Sequence, residues 1–505
     1  MIRAVLLATL LVLAGCQAPV ASPPATDGAT ESTPTDVSTA TEASTATEAS
    51  TGTPAASTET ATTPAATMAT AVPDPASDRL GWEDGVWYNE TLAVDNTDGL
   101  NETEQRLVVA RSMARIEHVR EREFTETVPV SVINRSTFRN RSSGEESRAL
   151  QRFDNAKFEA LFLIGERNDS IAQQEAALGQ SVLGYYSPAR DEIVIVSESA
   201  TPQLDGERTL AHELVHALQD QQFDLSNRSV ATRDSLQGDN GIVEGDAAYV
   251  EQRYMAKCGE TWTCLDRASD GSGGGGGDSH FGLNFLLYFP YSDGPGFVAG
   301  LYERGGWDAV DAVYADRPDG ATEVIYPGSY PEWEPESVTL PDRSTDAWER
   351  VSPPGRPDYA VVGQSAIAAS LAYTLTDEYN STRVVSARDV LNYQSNGEID
   401  RNDPYNYDMP AVRGWAGGRL YAYENGEKLG YVWRTRWTNE SEASEFASHW
   451  ERVVEHWGGE PAGENRWIID EDSPFSDAIR IEQSGATVTV TNAPTESELD
   501  EVHDA

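Results

Sequence analysis

Chemistry begins at Thr209-Leu-Ala-His-Glu-Leu-Val-His-Ala-Leu-Gln-Asp-Gln-Gln222, where His212 and His216 stand four residues apart with Glu213 between them. On an α-helix, residues at that spacing share a face about 6 Å apart along the axis, so both imidazoles reach one tetrahedral zinc ion. Glu213 projects about 100° round from His212, placed to take a proton from a zinc-activated water as in metal-assisted peptide hydrolysis. Chance also produces this pattern, so its surroundings decide. Residues 206–222 hold no proline, and Leu210, Leu214, Ala217 and Leu218 form a stripe at helical spacing. His212, His216 and Gln219 run beside that stripe. The spacing predicts a partly buried helix carrying an active site; a pair of core histidines held only by packing is the alternative.

A catalytic zinc site takes three protein ligands and leaves one position open. The next predicted helix, over residues 239–254, offers Glu244, with Asp239 or Asn240 capping its start. Gly245, Ala247 and Ala248 are small enough to let another helix approach closely. Glu251 lies two turns on, nearly on the same face, as a rival ligand or as the hydrogen-bond partner of an imidazole. Asp246 points elsewhere and is predicted to orient a neighbour.

His-Glu-Leu-Val-His followed by Val243-Glu-Gly-Asp-Ala resembles the gluzincin class of zinc metallopeptidases. It also resembles a group of secreted or surface-anchored prokaryotic proteins with His-Glu-Leu-x-His-Ala-Leu-Gln-Asp-Gln and a later segment like Pro290-Tyr-Ser-Asp-Gly-Pro-Gly-Phe-Val-Ala-Gly-Leu-Tyr-Glu-Arg-Gly-Gly-Trp307. The resemblance covers residues 184–330 and, weakly, the Trp-rich end. The 27 residues between His216 and Glu244 and an inserted glycine loop leave motifs alone to carry it. It implies an α+β fold with a gluzincin-like core: a small sheet, the active-site helix and a helical bundle. It also implies Zn2+ on His212, His216 and Glu244, with Glu213 as general base acting on a peptide or protein substrate. In gluzincins an edge strand beside the active-site helix pairs with the extended substrate. A hairpin predicted over residues 184–196 stands in the corresponding place, and a purely structural hairpin is the alternative. Oxyanion donors are sought among His280, Tyr291, Tyr326 and Tyr330. A non-catalytic surface protein that keeps the peptidase fold is the competing class.

The chain opens as an address. A short basic start, the apolar run 4–15 and Leu13-Ala-Gly-Cys16 resemble a lipoprotein signal, with Cys16 as the lipid-bearing residue. The expectation is a protein held on the extracellular face of the membrane by its N-terminal lipid anchor alone. Residues 16–76 are dominated by Ser, Thr, Ala, Pro and Glu, with Ala-Thr-Glu-Ala-Ser at 40–44 and again at 46–50, and read as a disordered stalk. Asn-x-Ser/Thr triplets at Asn89, Asn101, Asn134, Asn140, Asn168, Asn227, Asn380 and Asn439 fit an exported glycoprotein.

Acidic residues outnumber basic ones by 83 to 37, spread along the whole chain. That balance excludes a nucleic-acid partner, which needs a basic surface. Dispersed acidity with few lysines keeps a protein hydrated in molar salt, where repulsion is screened, and points to a halophilic archaeon. The calcium-binding alternative lacks an Asp-x-Asp-x-Asp-Gly loop. Cys258 and Cys264 are close enough in sequence to close a small disulfide loop, whereas a second metal site there would need more ligands.

Around these motifs, residues 77–345 form the metallopeptidase-like domain. It has a helix over 104–121, a strand over 128–133, a helix over 145–163, a glycine-rich loop over 269–279 and helices through 281–330. Residues 346–497 read as a C-terminal α+β subdomain. Its elements are a helix over 364–378, a hairpin over 418–437 turning at Asn425-Gly426, a helix over 440–457 and a hairpin over 478–490. His449 and His456 lie on that last helix among aromatic residues and read as packing rather than metal ligands. Residues 498–505 read as an acidic tail.

Overall fold

The structure is a computed structural model that describes residues 78–94, 99–141, 146–197, 204, 206–226, 228, 230–265 and 280–504. The signal, Cys16, the stalk and the glycine-rich loop lie outside these residues. A short hairpin, β1 (Trp82–Glu83) and β2 (Val86–Trp87), precedes helix α1 (Glu102–Arg120). Asn101 caps α1 by accepting from the Thr103 and Glu104 backbones while Glu104 reaches back to the Asn101 amide, a reciprocal capping box. Next come β3 (Val130–Asn134), α2 (Arg135–Arg141), α3 (Arg148–Ala160), α4 (Ser170–Ser181), β4 (Gly184–Ser187) and β5 (Glu192–Ser197). β3 runs parallel and β4 antiparallel to β5, so β4 is an edge strand of a three-stranded sheet. Asp191, with φ 48°, makes the turn between β4 and β5.

The expected active-site helix is α5 (Glu207–Phe223), followed by α6 (Arg233–Lys257), α7 (Phe281–Val313) and α8 (Ala321–Ile325). α6 begins earlier than the pattern predicts, because Thr232 caps it by accepting from the Ser235 amide. Asp239 and Asn240 therefore lie inside the helix. Asp239 does not cap it but takes ion pairs from Arg228 and Arg317. α6 and α7 cross backbone to backbone. A Cβ on Gly245 would stand 2.5 Å from the Gly294 carbonyl oxygen, and one on Gly294 would stand 2.7 Å from that of Gly241. Contact this close requires glycine, and it fixes the depth of Glu244, one residue earlier. Cys258 and Cys264 form a disulfide just beyond α6.

The remaining elements are β6 (Glu349–Arg350), α9 (Gly363–Tyr373), α10 (Ala387–Val390), β7 (Trp415–Asn425), β8 (Lys428–Trp437), α11 (Glu440–His456), β9 (Gly459–Gly463), β10 (Arg466–Ile469), β11 (Ala478–Ser484), β12 (Thr487–Ala493) and α12 (Leu499–Val502). The strands join in one antiparallel sheet of order β6-β7-β8-β12-β11-β10-β9. Phe446 and Trp450 of α11 pack on Trp433 and Trp437 of β8. The class is α+β. This sheet shares its core with the helical part: Phe162, just after α3, has its ring 5.8 Å from that of Trp450 and 5.1 Å from that of Phe475. The stretch expected to be an acidic tail is docked, with Leu499 and Val502 buried. His456 is buried with Nε2 2.8 Å from the Asp377 carboxylate, a packing role. Among the described residues no helix is long and apolar enough to cross a membrane.

Where the two parts meet, Glu159 at the end of α3 and Asp477 just before β11 are buried side by side, and Asn492 donates to Asp477 at 2.8 Å. Burial and the neighbouring carboxylates hold Glu159 well above the usual carboxylate range, and burial pushes Asp477 up to about 8. The folded pair keeps protons that the same carboxyls release when unfolded. Its contribution is therefore full below about pH 4 and disappears as pH rises through about 8. Within that window each extra proton held by the fold costs about 1.4 kcal/mol of stability per pH unit gained. Denaturant midpoints taken at pH 6 and pH 8 are expected to fall with pH in the wild type, and to fall less in Glu159→Gln. Equal slopes for the two proteins would mean that Glu159 holds no extra proton in the fold.

Candidate metal centre

The start of α5 has no side-chain cap, since Gly206 stands at that position. Glu207 ties it down instead. Its buried carboxylate accepts from Arg111 at 2.5 Å, Arg115 at 2.8 Å, the Leu265 amide at 2.8 Å and the Tyr254 hydroxyl. Helices α1 and α6 and the disulfide loop are thereby clamped to the N-terminus of α5. Towards the other end, Asp220 accepts from the Tyr186 hydroxyl on β4 at 2.8 Å and from the Leu225 amide at 2.7 Å.

Between these ties, the Nε2 atoms of His212 and His216 each lie 3.3 Å from Glu244 Oε2. Among the described residues, His212, His216 and Glu244 form the group whose ligand atoms all lie within 4.8 Å of one another. All three are buried. Ligands at about 2.0–2.1 Å around a tetrahedral zinc stand about 3.3–3.4 Å apart, so these separations suit such an ion. Glu244 Oε1 is buried without a hydrogen-bond partner, and His216 Nε2 makes no hydrogen bond despite its approach to Glu244. A buried polar atom left unsatisfied costs about 1–3 kcal/mol. Two imidazole nitrogens and a carboxylate oxygen are a donor set that could hold a divalent cation, which would relieve this cost.

The outer ring nitrogens are occupied. His212 Nδ1 lies 3.2 Å from Glu251 Oε2, and Arg208 donates to Glu251 at 2.5 Å. Glu251 thus stands behind His212, on the side away from Glu244. His216 Nδ1 lies 2.9 Å from Gln219 Oε1. Asp246 is outside the cluster and accepts from Arg120 at 3.0 Å and from the Tyr314 hydroxyl at 2.8 Å. Burial works to lower His212, but hydrogen bonds to Glu244 and Glu251 outweigh it and push it up to about 10. Burial likewise works to raise Glu244, and the two imidazoles hold it below its ordinary value. Glu213 is pushed up to about 7 by burial, partly offset by the same two rings.

β4 passes directly over Glu213. A Cβ on Gly184 would stand 3.2 Å from Glu213 Cγ and 3.0 Å from Thr209 Cγ2. The Val196 amide donates to Leu183 O at 2.8 Å, so Tyr185 and Ser187 carry the alternating ladder to β5. The backbones of Gly184 and Tyr186 then face the open edge, beside Glu213. Of the oxyanion candidates, Tyr291 has its ring 6.1 Å from that of His212. His280 caps α7, Tyr326 donates to Asp408 at 2.5 Å, and Tyr330 donates to Asp316 O at 2.5 Å. Sequence reasoning gave Gln219 no role, although its spacing of three from His216 put it on the same helix face.

Residues 349–503 match a family described as Domain of unknown function (DUF8575), which covers β6 to α12 and none of the metal cluster. No curated protein and no solved structure matches the chain.

Proposed function

We propose that this protein is a zinc-dependent peptidase with a gluzincin-like core, carried on the extracellular face of the membrane by a lipid on Cys16. The observation that carries the reading is the approach of His212 and His216 to one oxygen of Glu244, at 3.3 Å each, with Glu213 on the same helix between them. When bound, zinc supplies Lewis acidity that polarises the scissile carbonyl and acidifies water. Glu213, as the carboxylate, accepts the proton of the attacking water and returns it to the leaving amine nitrogen. The open-edge backbones of Gly184 and Tyr186 align an extended peptide as an added strand. Tyr291, whose ring lies 6.1 Å from that of His212, is a candidate donor to the developing oxyanion. The net charge of −46 keeps the protein hydrated in molar salt and turns nucleic acid away.

The test is metal analysis of the purified chain joined to cleavage of a casein-type substrate in high salt. About one zinc per chain is expected. Cleavage should cease on chelation and return with added zinc. No stoichiometric zinc in any preparation overturns the reading. Zinc without cleavage leaves the non-catalytic surface protein.

A further inference from the structure

Gln219 is buried, and its two amide ends face different chemistry. Nε2 lies 2.9 Å from Val243 O and 3.4 Å from Asp246 Oδ2, whereas Oε1 lies 2.9 Å from His216 Nδ1. Turning the amide over would set its oxygen against two acceptors, so Asp246 and Val243 O hold it in this sense. An amide oxygen at Nδ1 requires Nδ1 to carry the hydrogen. A neutral imidazole protonated there keeps its lone pair on Nε2, the atom that faces Glu244.

The far end of this chain of bonds is rigid. Asp246 is fully buried and receives the Arg120 guanidinium at 3.0 and 3.2 Å and the Tyr314 hydroxyl at 2.8 Å. Arg120 lies over the Trp307 ring at 4.3 Å and continues to Asp311 at 2.6 Å. The other histidine is set differently, by Glu251 and the half-exposed Arg208. Salt weakens an ion pair open to solvent far more than a buried relay.

Resting on the metal site proposed above, we infer that Asp246, acting through Gln219, fixes the tautomer of His216 and so sets the metal affinity of the centre. Both are positioning residues: neither faces the substrate. The structure offers a direct test in Gln219→Met, which keeps the length of the side chain but removes the strong acceptor, and Gln219→Glu, whose carboxyl, kept protonated by burial beside Asp246, sets one oxygen at Nδ1 and donates its O–H toward Val243 O. Zinc affinity is read by competition with a chromophoric chelator. The visible spectrum of the cobalt-substituted full chain and the denaturation midpoint are taken alongside. Loss of a partner to a ligating histidine weakens metal binding about 10–100-fold, and that loss is expected for Gln219→Met, with an altered cobalt spectrum. Gln219→Glu should recover most of the affinity. Wild-type affinity and spectrum in a folded Gln219→Met overturn the inference, and so does an equal loss in both variants, which would mean packing alone. Should Gln219→Met not fold, a tenfold or greater loss in folded Gln219→Glu overturns it. Wild type that binds no metal brings down the peptidase reading as well; wild type that binds metal alongside an indifferent Gln219→Met brings down this inference only.

Discussion

Glu213→Gln is expected to keep its zinc and to slow peptide hydrolysis by about 10²–10⁴-fold, the range lost with a positioned general base. The amide has the carboxylate's shape but does not take the water's proton at neutral pH. The carboxylate takes the Tyr186 backbone N–H, which the amide oxygen of a glutamine can still accept, so the exchange need not break that bond. The stability effect runs the other way. Burial raises Glu213 to about 7, so its contribution is full below about pH 4 and is lost as pH rises through 7; above that pH the buried carboxylate burdens the fold. The variant is therefore expected to be at least as stable as wild type above pH 7 while being nearly inactive, a trade seen where function requires a buried charge. Activity that needs the ionised base should also fall on the acid side. That limb lies at or below about pH 7, because a cation beside Glu213 favours the carboxylate. Metal content, kcat/KM and a denaturant midpoint on the same preparations decide the matter. Cleavage at the wild-type rate by the zinc-loaded variant removes Glu213 from the role.

What the sequence made legible was local. His212, Glu213 and His216 declare themselves by a four-residue interval, and the α5 stripe by helical period. The C-terminal hairpins follow from alternation and from Asn425-Gly426, where Gly426 takes φ 62°. Choosing between Glu244 and Glu251 was beyond periodicity, since the two lie on nearly one face. Depth separates them, with Glu244 fully buried beneath the α6–α7 crossing and Glu251 meeting the outer nitrogen of His212. The early start of α6 was hidden for a related reason. Gly238 and Gly241 look like turn residues in a sequence, yet they lie against the Gly320 backbone and Val324, contacts made only in three dimensions. The pairing of β8 with β12, which joins the two hairpins into one sheet, is likewise long-range. So are the partners of Arg111, Arg115 and Arg120. The apolar pattern of α1 picks out Leu107, Val108, Met113 and Ile116, and nothing in it announces three buried guanidiniums.

Those guanidiniums carry the largest stability effect we expect. Glu207→Gln should destabilise the fold by about 3–5 kcal/mol, because it leaves buried charge uncompensated. The Arg111 and Arg115 side chains are 2% and 1% exposed, and Glu207 is the carboxylate with which both form ion pairs. A buried ion pair adds little stability in itself, since desolvation offsets its attraction; removing one partner strands the other. A glutamine at 207 could still accept one hydrogen bond, but it would place an amide nitrogen against the guanidiniums or the Leu265 amide. The consequence should reach the proposed metal site, because α5 has no other side-chain cap and His212 lies little more than a turn further on. Zinc affinity should drop together with the denaturant midpoint. Asp84→Asn supplies the contrast, since the Asp84–Arg106 pair is open to solvent and its loss should cost no more than about 1 kcal/mol. Salt separates the two cases further. Molar salt screens the Asp84 pair almost completely but hardly reaches the Glu207 cluster, so the Glu207→Gln penalty should persist in the salt that erases the Asp84→Asn one. Equal losses for the two variants, at low or high salt, would mean that the Glu207 clamp does not hold α5 in place.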